Sequence, residues 1–263
     1  MGIVSSIFGR KKPAEVRHSA LAMPMFAHAS PPNIDAALAW VRERFPDCPA
    51  IGQPEGSDDT FTAAIPGGQI GGTFVSAPIP PGDLEGPTAL AWHWPSATVD
   101  VERHVAHEIC FASSFEMDRV ALRMLHSRVI AGVAAVSKAS GVYVGSSLLV
   151  REAQAYVADI EQSDRDNLPV FSWLGFNPVV EEPGRSAYTT GLREFGLLEL
   201  EVRHSSLQWE SLFEFLANVA QYQIANNVQI GDGETVGGSE DERLQVRHLA
   251  SQYIPDTKVA CIS

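Results

Sequence analysis

Two histidines and a carboxylate stand close together in the middle of the chain. His104, His107 and Glu108 offer imidazole and carboxylate donors, and a three-residue step on a helix would turn both rings to one face, where they could share a metal ion. The zinc-hydrolase pattern needs histidines four apart with glutamate directly after the first, and the order here is different. Residues 108–112 also read as the start of a strand, so the two histidines are expected to be polar residues of a helix-to-strand junction. The acidic, glycine-rich run 231–238 does not fit a calcium loop, which alternates Asp/Asn ligands ahead of its glycine and adds a late bidentate Glu. No metal and no cofactor is expected. Gly145-Ser146-Ser147 lacks the closing glycine of a nucleophile elbow, and Gly67-Gly68 and Gly71-Gly72 have no Lys-Ser/Thr partner for a phosphate loop. No residue is assigned a catalytic role, and the reading leans away from an enzyme.

Two sets of residues remain. Tyr188 and Thr190 supply hydroxyls, Arg247 a fixed cation and His248 an imidazole; a pocket built from these four could hold an anion and move a proton. Strand alternation would put Arg243 and Arg247 on one face. The second set is acidic: Asp232 and Glu234 in a turn, then Glu240, Asp241 and Glu242, all suited to a basic partner. Trp92 joins it, because two tryptophans one residue apart, Trp92 and Trp94, cannot share a strand face. One is expected in the core and the other exposed as an interface anchor.

The elements that must position these residues are partly legible. Ile34, Ala37, Leu38, Val41 and Phe45 recur at helical spacing behind Asn33, a good N-cap. Ser113 and Glu116 have capping-box spacing ahead of Met117, Val120, Ala121, Met124 and Leu125. Trp209, Leu212, Phe213, Leu216, Val219, Ala220 and Ile224 form a third stripe; all three read as core. Strand-like runs bounded by Gly, Pro, Asn or Asp cover 22–28, 60–65, 73–79, 107–112, 142–144, 170–180, 198–202, 244–248 and 259–262. They do not alternate regularly with helices, so the expected class is α+β, with largely antiparallel sheets and helices packed on one face. The polar stretch 151–169 is expected to link two halves. The expected organisation is a basic leader over 1–20, an α+β half over 21–150 and another over 151–263, with one compact domain as the alternative.

Nineteen Lys+Arg against thirty-two Asp+Glu leave the 263 residues with a net charge of −13, and most of that excess lies beyond residue 150. Such a field disfavours nucleic acid and anionic lipid as partners. With 45% hydrophobic residues the chain has the composition of a globular protein. Cys48, Cys110 and Cys261 are odd in number and far apart, which is not a disulfide framework and fits a reducing cytoplasm. Met1 to Ser6 fit the loose myristoylation pattern, but the apolar stretch there is too short for a signal sequence.

Ala187-Tyr188-Thr189-Thr190-Gly191-Leu192-Arg193, Phe195-Gly196-Leu197 and Glu199-Leu200-Glu201 together resemble the hallmark of a bacterial domain-of-unknown-function family, number 4261. Asp232-Gly233-Glu234-Thr235-Val236-Gly237 and residues 243–248 are similar to its later landmarks; Trp94-Pro95-Ser96-Ala97, His104, Ala106-His107 and Val142-Tyr143 with Gly145 are similar to its earlier ones. Leu198 stands where that pattern would have a small residue or proline. The resemblance implies a bacterial protein without an assigned activity, with some members encoded near contact-dependent toxin or type VI secretion loci, and it supplies no catalytic residues to carry over.

From residues and resemblance together, the expected role is a non-catalytic cytoplasmic protein-binding module. Its partner would be a protein, such as a toxin or secretion component, with this chain as an immunity or accessory factor. The alternatives are an enzyme using the Tyr/Thr/Arg/His pocket and a structural subunit of a larger assembly.

Overall fold

The computed structural model describes residues 17–237 and 243–263. Most of the basic leader, the myristoylation pattern, and the candidates Glu240, Asp241 and Glu242 lie outside the described residues. The fold is α+β, with two mostly antiparallel sheets drawn from successive parts of the chain.

The first sheet uses β1 (His18–Phe26), β2 (Glu55–Ser57), β3 (Thr60–Ile65), β4 (Gly68–Val75), β5 (Ala106–Ser114), β6 (Gly141–Val144) and β7 (Leu149–Glu152), in the order β2-β3-β4-β5-β1-β6-β7. Its helices are α1 (Ile34–Arg44), α2 (Pro81–Ala89), α3 (Ala97–Val101), α4 (Arg119–Val136) and α5 (Ala153–Glu161). All four residues of β6 are buried, because both faces of this sheet are covered. Val142 and Val144 pack with Leu38, Leu125 and Tyr156 from α1, α4 and α5, whereas Tyr143 packs with Leu84, Ala97 and Val101 from α2 and α3. Helices therefore lie on both faces here, not on one.

The second sheet begins after α6 (Val170–Trp173). It contains β8 (Gly175–Val180), β9 (Arg185–Thr190), β10 (Glu199–Ser205), β11 (Thr235–Val236), β12 (Leu244–Ala250) and β13 (Lys258–Ile262), in the order β11-β12-β13-β10-β9-β8. Among the described residues, only β10 and β13 pair in parallel. The helix α7 (Trp209–Asn226) buries Leu212, Phe213, Leu216 and Ile224 against this sheet, as its stripe predicts. No helix among the described residues is long and apolar enough to cross a membrane.

The two layers are tied by tryptophans. Trp173 is fully buried, stacks on Phe195 at 5.6 Å and donates its indole N–H to Ser127 Oγ on α4 at 2.8 Å. Trp173→Ala opens a cavity and orphans that hydroxyl, so a loss of about 3–5 kcal/mol is expected from denaturant midpoints; a loss below about 1 kcal/mol would contradict this packing.

Three local expectations are revised. The helix after β5 starts at Arg119, with Asp118 as its N-cap accepting from Ala121 N at 2.7 Å. Ser113 and Ser114 stay in β5 because both neighbouring strands pair with them, and Ser114 Oγ takes the Glu116 and Met117 amides instead. Residues 170–173 form a helical turn after Pro169, so the strand of that region starts at Gly175. The presumed linker contains α5, which buries Ala153, Tyr156 and Ile160 at helical spacing.

One buried carboxylate makes the fold sensitive to pH. Glu108 on β5 is 1% exposed, its Oε2 has no hydrogen-bond partner, and burial, with Asp59 adding repulsion, pushes its pKa up to about 8. The native state therefore holds a proton that the unfolded chain releases near its ordinary value of 4.5. Stability from this group is complete below that value and is lost as pH rises towards 8, at up to about 1.4 kcal/mol per unit. Glu108→Gln should match the parent at pH about 5 and exceed its stability by a few kcal/mol at pH about 9. Parallel urea titrations at the two pH values check this; an equal offset at both would contradict it.

Candidate anion-binding site

The strings around residues 187–201 build one compact device. β9 leads into a short 3₁₀ turn, Leu192–Phe195, that folds back over the side chain of Glu199 at the start of β10. The buried Glu199 carboxylate accepts hydrogen bonds from Thr189 Oγ1 (2.8 Å) and from the backbone N–H groups of Gly191 (2.9 Å), Leu192 (3.2 Å) and Arg193 (3.3 Å). Burial raises its pKa, and these four donors oppose the rise. Gly191 opens the turn at φ +110°, where a Cβ would meet Ser147 Oγ at 2.3 Å. Gly196 closes it at φ +78°, and the Arg119 guanidinium lies across it so closely that a Cβ would sit 2.2 Å from Nη1. The turn thus fixes Arg193, Glu194 and Phe195 against the start of α4.

Between them lies a cavity of about 190 Å³ lined by Arg17, His18, Ser19, Arg119, Arg123, Arg193, Glu194 and Phe195. Four guanidiniums face one carboxylate in a chain whose net charge is −13. None of the four is within ion-pair distance of an acidic side chain among the described residues. Arg17 donates to Ser113 Oγ at 2.8 Å, Arg193 to Thr257 Oγ1 at 2.8 Å, and Arg119 Nε to His18 Nδ1 at 3.4 Å.

Arg123 is the sharpest case: only 5% exposed, it makes no hydrogen bond or ion pair among the described residues, and it lines the cavity. Desolvation lowers its pKa, yet a guanidinium stays charged. The nearby Tyr156 is neutral, its pKa pushed up to about 12 by burial, and Glu194 on the cavity wall acts on Arg123 without reaching ion-pair distance. Arg119 and Arg123 are also one helical turn apart and lie near the N-terminus of α4, so mutual repulsion and the positive end of the helix dipole both act against them. Local stability does not explain this arrangement; an anion placed between the guanidiniums would.

His18, Arg119 and Phe195 also line an adjoining cavity of about 560 Å³, whose other walls include Val120, Leu197 and Ile224. At its rim Arg165 pairs with Asp118 at 2.5 Å.

The residues singled out from sequence lie elsewhere. Tyr188 stacks on Tyr253 at 5.8 Å, and Thr190 donates to the Ser147 carbonyl at 2.5 Å. Tyr188, Glu201, Cys261 and Arg247 occupy one row across β9, β10, β13 and β12, which puts Tyr188 about 14 Å from Arg247 at ordinary strand spacing. His248 alternates to the other face, its Nε2 2.8 Å from the Ile230 carbonyl oxygen. The structure thus brings Tyr188 and Thr190 near each other but does not gather all four. Asp232 accepts from His248 N at 2.8 Å and Glu234 from Gly231 N at 2.7 Å, so both brace their turn from an exposed position. Trp94 is core, whereas Trp92 is 41% exposed, stacks on Phe213 at 4.4 Å and donates to the Phe176 carbonyl at 3.0 Å. His104 accepts from Ile79 N at 2.8 Å, and His107 Nδ1 lies 2.9 Å from the Ala77 carbonyl oxygen, so backbone groups engage both. No group of three or more potential metal ligands occurs among the described residues.

Residues 188–262 match the model of a family described as a domain of unknown function, DUF4261. The match starts at Tyr188 and takes in the whole Glu199-centred turn, and with it Arg193 and Phe195 of the cavity wall. No curated protein and no solved structure matches the chain.

Proposed function

We propose that this chain is a binding protein that takes an anionic group of its ligand or partner into the arginine cavity. The observation that carries the reading is Arg123, a buried cation without an ion-pair partner among the described residues, which opens onto a space where three further arginines outnumber the single carboxylate of Glu194. Such a charge costs stability unless a partner neutralises it, so binding and folding are linked. This keeps the expected binding role and relocates the anion contact from Arg247 and His248 to α4 and the turn after β9.

Thermal unfolding in inorganic phosphate, sulfate and citrate, each compared with chloride at equal ionic strength, tests it. An anion at a hundred times its Kd adds about 2.7 kcal/mol. At about 2–4 °C per kcal/mol for a chain of this size, the unfolding temperature should rise by about 5–10 °C. No difference between any of these anions and chloride would contradict the reading.

A protein partner of basic character is a second reading, supported by a different surface. Phe215, Val219, Tyr222 and Ile230 line a groove of about 800 Å³ that also touches Glu234, with Asp232 in the same turn. An apolar floor beside carboxylates suits a cationic amphipathic segment, such as part of a toxin or secretion component. A complex formed there should weaken with salt and with Tyr222→Ala; one indifferent to both would contradict this second reading.

A further inference from the structure

The two adjoining cavities differ in chemistry, and the difference describes a ligand. The smaller has guanidiniums on several sides, contributed by three separate parts of the chain: Arg17 ahead of β1, Arg119 and Arg123 on α4, and Arg193 on the turn after β9. A carboxylate has two oxygens in one plane and a single charge. A phosphoryl group has three peripheral oxygens arranged in three dimensions and carries about 1.5 to 2 negative charges at neutral pH, which matches donors approaching from several directions. The larger cavity opens from the same residues, His18, Arg119 and Phe195; its wall carries an apolar strip of Val120, Leu197 and Ile224 beside the polar Asp118, Arg165 and Asn227. Its volume of about 560 Å³ accommodates a compact organic body and far exceeds what a bare inorganic anion needs.

We propose that the ligand is a small phosphate monoester, its phosphoryl group held by Arg119, Arg123 and Arg193 and its less polar body seated between Val120, Leu197 and Ile224. This rests on the anion-binding reading above and adds the ligand class. The net charge of −13 argues against a nucleic-acid polyanion as the source of the phosphate. Binding needs no bond to form or break. Ala225, exposed on the wall of the larger cavity and absent from the smaller, gives a way to block the body without touching the phosphoryl site.

Calorimetric titration of the full chain with phenyl phosphate, inorganic phosphate and benzoate separates the claims. Phenyl phosphate should bind at least tenfold more tightly than either of the others. Ala225→Trp should bring phenyl phosphate down to the level of inorganic phosphate and leave inorganic phosphate unchanged, while Arg193→Met should weaken both phosphates. Benzoate binding as well as phenyl phosphate would overturn the monoester assignment and leave the anion site standing. Inorganic phosphate matching phenyl phosphate, or an Ala225→Trp chain that binds both as before, would overturn the role given to the larger cavity. No heat with any of the three would remove the monoester and the anion site together.

Discussion

Replacing Glu199 by alanine is expected to destabilise the chain by about 4 kcal/mol and to dismantle the anion site with it. Three backbone N–H groups and the Thr189 hydroxyl converge on this carboxylate inside the protein. Removing it leaves donors that no neighbouring group is placed to take, at about 1–3 kcal/mol for each that water does not reach. Glu199→Gln keeps one acceptor oxygen but turns an NH₂ towards other donors, so about half the loss is expected. Because the same turn carries Arg193 against Arg119, the alanine variant should also lose its response to phosphate under conditions where it is still folded. Urea unfolding and a phosphate titration of the two variants check both parts. An alanine variant within about 1 kcal/mol of the parent would show that the turn does not depend on its carboxylate.

Arg123→Met is expected to act in the opposite sense on stability while abolishing binding. Methionine has a similar reach and no charge, so it fills the same space without a buried cation, without repulsion from Arg119 and without opposing the helix dipole. Replacing a poorly compensated buried charge by an apolar side chain should stabilise the ligand-free chain by about 1–2 kcal/mol, or a few degrees in unfolding temperature. The same variant should show no further rise in phosphate. A gain in stability joined to a loss of function is what a site that stores electrostatic strain must give; a structural arginine would give a loss in both. Destabilisation by more than about 1 kcal/mol, with the phosphate response kept, would reverse the assignment.

The α+β class and the long stripes of α1 and α7 were legible in the sequence because each element buries one face, and burial on one face imprints a period. The stripe of α5 was there too, in Ala153, Tyr156 and Ile160, but polar residues between them made the stretch read as a linker. The start of α4 was misplaced because Ser113 and Glu116 satisfy the local capping pattern, while pairing of Ser113 and Ser114 with β1 and β4 takes priority. The arginine site was harder to see. Arg17, Arg119, Arg123 and Arg193 are scattered over the chain, and only the packing of β1, α4 and the turn after β9 brings them together. A local signal did exist: two arginines at i and i+4 near the start of a helix whose neighbours are apolar, against both charge repulsion and the dipole. The family-like string also contained the answer in part, since Thr189, Gly191, Arg193, Gly196 and Glu199 are the residues that build and aim the turn.

A crystal structure of the chain grown with phenyl phosphate tests the central claim most directly. It should show phosphoryl oxygens within hydrogen-bond distance of the Arg119, Arg123 and Arg193 guanidiniums, with the ring beside Leu197 and Ile224. Phenyl phosphate bound anywhere else, with Arg123 still unpaired, would contradict it.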